Sequence, residues 1–191
     1  LIKVEEYFKR ILAYYRNSFD ITAPYEIGGK SYTALAAMHA HEDQYVRIVG
    51  TTLWNAESHE FTLFQTFDTA PTVQQVEEMF RVAKEEMEPK FVRDGQNLPP
   101  KDHQYTWLSL VLLSQHTPDE ATRKAVEQCR MTKYYQFYLR GYSEIRVLLV
   151  DLETGTMTTN KAGRDLKKLY TLALKNAEKA EKKANSAAQQ G

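Results

Sequence analysis

Apolar and polar positions alternate most clearly in QYTWLSLVLLS, residues 104–114. Tyr105, Trp107, Ser109, Val111 and Leu113 fall on one face, and Leu108, Leu110 and Leu112 on the other. A strand that is apolar on both sides must be covered on both sides, so the pattern predicts a strand inside a sheet rather than at its margin. Over 1–19 the period is three to four. Ile2, Val4, Tyr7, Phe8, Ile11, Leu12, Tyr15 and Phe19 form one stripe, as expected of an amphipathic helix.

After a loop at 20–25, Gly28-Gly29 stands between two short strand-like runs and predicts a two-residue hairpin. Strands are expected at 31–42, 44–54 and 58–67, with Glu42-Asp43-Gln44 as a turn, so that 25–67 forms an antiparallel meander. A helix is expected at 72–91, capped by Thr72 and ended or bent at Pro89. A second is expected at 117–130, with Thr117 as cap and Pro118 in the first position. Strands at 133–140, 144–152 and 156–160 and a helix at 162–174 complete the pattern.

From residue 175 large apolar side chains disappear, while strong helix formers continue. Ala173, Ala177, Ala180 and Ala184 share a narrow side that buries little area, so a solvent-exposed helical extension is expected. The alternative is a docking helix for a protein partner or a second copy of the chain. The fold class is therefore α+β, one domain over 1–174 with a mostly antiparallel sheet packed by helices, followed by a helical tail over 175–191.

Composition narrows the function. Of the 191 residues 42% are hydrophobic and 26% charged, an ordinary globular mix. Lys+Arg and Asp+Glu are both 25, which argues against electrostatic capture of nucleic acid or an anionic membrane. No apolar run approaches the ~20 residues of a membrane span. Residues 1–18 are amphipathic and charged, unlike a signal peptide, and the lone Cys129 fits a reducing compartment, so a cytoplasmic location is expected. Cys129 lies at a helix end with no Cys-His motif around it, which favours a packed thiol over a nucleophile.

Candidate chemistry is sparse. In a strand, His39 and His41 share a face about 7 Å apart along the chain. With His59, Glu57 or Glu60 as a third ligand they would hold a divalent metal and activate water. Glu57 and Glu60 are also the candidates for acid–base work. The competing reading is a solvated strand end. An αβββαβ element order occurs in restriction-endonuclease-like nucleases, but the expected third strand, HEFTLFQTF, lacks their lysine. Arg130, Lys133, Tyr134, Tyr135, Phe137, Tyr138, Arg140, Tyr142 and Arg146 form an aromatic and basic cluster that could stack bases, although tyrosine also favours sheets for packing reasons alone. Nucleotide-loop, dinucleotide and serine-hydrolase motifs are absent. The backbone amides of Asn160-Lys161-Ala162-Gly163 could take an anion, against the commoner role of opening a helix.

The segments EEYFKRILAYYRNSFDI, LWNAESHEFTLF, HQYTWLSLVLLS and VLLVDLETGTMTTNKAG resemble a family of short, uncharacterised bacterial proteins, a domain of unknown function. The likeness covers most of 1–170 and excludes the alanine-rich tail. It implies one intracellular domain and no assigned activity, and it carries over no catalytic residue. The preferred expectation is a non-enzymatic interaction or structural protein without a cofactor. The alternative is a metal-dependent, nuclease-like hydrolase.

Overall fold

The computed structural model describes residues 2–38 and 57–188, with the backbone alone for 57, 58 and 184–188. The chain opens with α1 (Val4–Tyr15), which buries Val4, Tyr7, Phe8, Ile11, Leu12 and Tyr15. Lys3 gives this helix no side-chain cap. Gln115 caps it from across the molecule, its Oε1 accepting from the Val4 N–H at 2.8 Å and its Nε2 donating to the Ile2 carbonyl at 3.2 Å.

The helix stops short of Phe19, which instead opens β1 (Phe19–Thr22) where a loop was expected. Phe19 still packs on Tyr15, with ring centroids 4.7 Å apart, so its apolar side chain serves the same core from a strand. β2 (Tyr25–Ile27) and β3 (Lys30–Tyr32) form the expected hairpin, with Gly28 and Gly29 at φ of 60° and 72°. The long strand expected at 31–42 is broken at Thr33, whose N–H donates to the Phe64 carbonyl. β4 (Ala34–Met38) then leaves the hairpin and joins the main sheet. The strand expected at 44–54 and the turn before it lie outside the described residues.

The main sheet also contains β5 (Glu57–Phe67), β6 (His103–Ser114), β7 (Thr132–Tyr134), β8 (Tyr142–Asp151) and β9 (Met157–Thr159). Its order is β1-β4-β5-β6-β8-β7, with β9 also on β8. The β1–β4, β4–β5, β7–β8 and β8–β9 pairings are antiparallel. The expected inner strand β6 is indeed central, but it runs parallel to both β5 and β8. Parallel neighbours need crossover connections, and the covering helices supply them, which is why β6 and β8 are apolar on both faces.

One of these helices is α2 (Val73–Val82), closed by a reciprocal capping box between Thr72 and Gln75. It continues as a π-helical segment, Ala83–Val92, with Pro89 inside it. Proline has no N–H to donate, and the wider register turns the Glu88 carboxylate inward. The second is α3 (Glu120–Gln128). Its cap is Asp119, whose Oδ1 accepts from the Thr122 N–H at 2.7 Å, and not Thr117, whose N–H goes to Glu153.

The strand expected at 133–140 lasts only as far as Tyr134. Gln136, Phe137 and Tyr138 then turn left-handed, with φ of 48°, 52° and 75°, because the chain must reverse at once to form β8. Gly141 closes the turn at φ 68°, and an added Cβ there would collide with the Gln104 carbonyl. Gly141→Ala is expected to cost about 2–4 kcal/mol in urea denaturation, since both strain and a backbone clash oppose it.

The chain ends in α4 (Leu166–Ala188), which starts later than the expected residue 162. It runs without a break through residue 175. Ala173 and Ala177 are buried, and Asn176 donates to the Tyr14 hydroxyl at 3.1 Å. The first part of the alanine stripe therefore packs on its own domain, because small side chains let α4 approach α1 closely.

The two faces of the sheet carry two cores. On one, α1 and α4 cover Ala34, Ala36, Phe64, Val111, Leu113, Leu148 and Val150. On the other, α2, its π extension and α3 cover Leu63, Leu108, Leu110, Leu112, Ile145, Val147 and Leu149.

Candidate functional site

Three strands in register bring polar side chains together beneath α1 and α4. Glu60 on β5 lies beside Trp107 on β6, and Ser109 on β6 lies beside Arg146 on β8. They have the same alternation as Phe64, Val111 and Leu148, so one face changes from aliphatic to polar along its length. Arg146 Nη2 donates to Glu60 Oε1 at 2.6 Å, and Arg146 Nε donates to Ser109 Oγ at 3.1 Å. Ser109 in turn donates to Glu60 at 3.3 Å. The guanidinium lies 4.4 Å from the Trp107 ring centroid. The two charged side chains keep 8% and 12% exposure, and they line a cavity of about 310 Å³ with Tyr14, Tyr15, Phe19, Met38, Asp165 and Leu169.

Tyrosine hydroxyls roof this cluster. Tyr15 and Tyr170 pair at 3.0 Å, and Tyr7 donates to the Tyr170 carbonyl. Burial raises the pKa of all three above the usual phenol value, so each stays protonated at neutral pH. Thr62, fully buried beside Tyr15, has a hydroxyl with no hydrogen-bond partner among the described residues.

From Trp107 an aromatic row runs outward along the same face. Ring centroids are 4.8 Å apart for Trp107–Tyr105, 5.9 Å for Tyr105–Tyr142, 6.0 Å for Tyr142–Tyr134 and 4.3 Å for Tyr134–Tyr138. Tyr134 and Tyr138 are exposed, and the left-handed turn beside them leaves Phe137 at 96% and Leu139 at 79% exposure. β7 pairs only with β8 among the described residues, so its outer backbone edge is open there.

The opposite face holds a second polar cluster. Glu88 accepts from Tyr135 at 2.6 Å, from Lys133 at 3.0 Å and from Arg93 Nε and Nη2 at 2.9 and 3.0 Å. Burial alone would raise its pKa, but these donors outweigh burial and hold it below the usual carboxylate range. A depressed folded-state pKa stabilises the protein above the unfolded value, and that stability is lost as pH falls through the folded one. Melting temperature is therefore expected to drop below about pH 4. The drop should be shallower in Glu88→Gln, and parallel acid profiles of the two proteins would refute the assignment.

The residues singled out from sequence do not assemble into a metal site among the described residues. His59 and Glu60 are consecutive on β5 and so point to opposite faces, where His59 stacks at 6.4 Å on Phe61. Glu60 is held by Arg146. Glu57 opens β5, and its side chain is not described; His39 and His41 lie outside the described residues. No group of three or more His, Cys, Asp or Glu suited to a metal occurs among the described residues. Cys129 is a packed thiol, pushed up to about 11 by burial and then by Glu77. The Gly163 amide donates to Asn160 Oδ1 at 2.8 Å and is already spent. The Glu60–Ser109–Arg146 set forms no sequence motif, and Glu60 and Arg146 stand out in the sequence only in other groupings. Each of the three is polar at an inward-facing position.

Fold and site together define a single α+β domain with a mixed sheet, one face of which passes from a sealed core through a buried ion pair to exposed aromatics. The chain belongs to the family described as Domain of unknown function (DUF8052), whose profile matches residues 3–172. No curated protein matches the chain. No helix among the described residues is long and apolar enough to cross a membrane.

Proposed function

We propose that this domain is a non-enzymatic interaction component, working in the cytoplasm, that docks a protein segment on the aromatic row. The continuous run of Trp107, Tyr105, Tyr142, Tyr134 and Tyr138, ending at exposed Phe137 and Leu139, carries this reading. Aromatic side chains supply large contact area at low entropic cost and are enriched in protein interfaces. Base stacking is the weaker use of the same rings. The nearest guanidinium is neutralised by Glu60 at 2.6 Å, and the chain has no net charge to hold phosphates.

The division into a domain over 1–174 and a tail over 175–191 is kept in this reading, supported by the family match ending at residue 172. Beyond Ala177, α4 is a second contact for a partner or another copy. Removing residues 181–191 should then weaken self-association in sedimentation, and unchanged association would take the tail out of the proposal.

The row is tested by panning a random-peptide library against the full chain. Peptides should be enriched that bind the wild type and lose affinity for Tyr134→Ser/Tyr138→Ser by about tenfold or more. No enrichment, or peptides indifferent to that variant, would overturn the reading. So would tighter binding of single-stranded homopolymer RNA that weakens steeply with salt.

A further inference from the structure

We propose that the cavity above Glu60 and Arg146 is a binding site for a small neutral molecule presenting a planar amide edge. The site adjoins the aromatic row where Arg146 lies over Trp107, but its ligand does not depend on what the row binds. Its floor is an ion pair whose bonds to the described residues leave hydrogen-bonding capacity on both partners. Arg146 uses Nη2 on Glu60 and Nε on Ser109, and Glu60 receives both bonds on Oε1. Arg146 Nη1 and the second oxygen of Glu60 make no hydrogen bond to a described residue. Both residues line the cavity, which therefore offers a guanidinium donor and a carboxylate acceptor, complementary to a ligand that carries a C=O and an N–H together, as a primary amide or a lactam ring does.

The pair's charges select against ions. An anion would compete with Glu60 for the guanidinium, leave a buried carboxylate uncompensated and meet Asp165 on the same lining, and a cation would draw Glu60 from Arg146 and leave the guanidinium uncompensated. A neutral amide takes the unused donor and acceptor without breaking the existing bond. The walls suit a flat apolar body, with Tyr14, Tyr15, Phe19, Met38 and Leu169 around a space of about 310 Å³. That volume lies in the range of small-ligand pockets, and a mostly apolar lining with a few converging polar groups is their usual chemistry.

The test is ligand-observed NMR and calorimetry on the full chain with four probes. Benzamide and uracil carry the amide edge in open and cyclic form, and benzoate and benzylamine are charged counterparts of similar size. Binding of at least one amide, with both ions at least about tenfold weaker, is expected. Which amide binds distinguishes an open from a cyclic source of the group. Leu169→Trp, which fills the cavity from a half-buried position and leaves the ion pair intact, should weaken that amide by about tenfold or more. Glu60→Gln, which alters the acceptor, should weaken it too wherever the variant folds. Failure of both amides, ions binding as well as amides, or binding untouched by Leu169→Trp would each overturn the proposal. None of these outcomes bears on the peptide-panning result.

Discussion

Asn160→Ala is expected to lower stability by about 3–5 kcal/mol in urea denaturation. On its outer edge β8 pairs with β7 through residues 142–144 and with β9 through 148–150. That leaves a gap at Ile145 and Val147. Asn160 fills it with its side-chain amide, which acts as a peptide unit would. Oδ1 accepts from the Val147 N–H at 2.9 Å, and Nδ2 donates to the Ile145 carbonyl at 2.9 Å. The same amide also accepts from the Gly163 N–H and donates to the Cys129 carbonyl at 3.0 Å, so all four of its hydrogen bonds are made in a residue 1% exposed.

Alanine would orphan three backbone groups at once, each costing about 1–3 kcal/mol before water and relaxation recover part of it, and would leave the Gly163 N–H only its 3.3 Å bond to the Asn160 carbonyl. Asn160→Asp separates the two halves of the effect. It keeps the acceptor but turns the donor into an acceptor facing two carbonyls, so its stability should recover as pH falls and the carboxyl protonates. A loss below about 1 kcal/mol for the alanine variant would show that the gap is not closed by this side chain.

Arg146→Ala is the second large effect, expected to cost about 3–5 kcal/mol by leaving the Glu60 carboxylate buried without its partner. The double variant Glu60→Leu/Arg146→Met should lose much less, because an apolar pair avoids desolvating two charges. A double-mutant cycle measured by denaturation makes the comparison. If the double variant were as unstable as the sum of the singles, the two side chains would not be coupled, and the 2.6 Å bond would contribute nothing to stability.

Much of the architecture was legible because it is written in local periods. Two-sided alternation over 104–114 placed β6 inside the sheet, the Gly28-Gly29 pair marked the hairpin, and Thr72 announced its helix. Misreadings arose where a local preference met a tertiary demand. Tyr135–Tyr138 favours a strand by side-chain type, but β8 has to return antiparallel within a few residues, and the backbone turns left-handed instead. Phe19 continues a helical stripe in sequence, yet the same core can be reached from a strand. In the π-helical segment, Pro89 disrupts the ordinary helical pattern that would otherwise have marked Glu88 as inward-facing.

Sequence by itself determined the α+β class, the central place of 104–114 and the low electrostatic pull of a neutral chain, because each depends only on side-chain type and spacing along one segment. Tertiary structure alone decided that the central strands run parallel, that Glu60 pairs with Arg146 while His59 faces away, and that one asparagine completes an edge of β8. Those facts depend on register between segments up to 86 residues apart in the chain. No local pattern encodes such a register, since it is set by which crossovers bury both faces of the sheet at once.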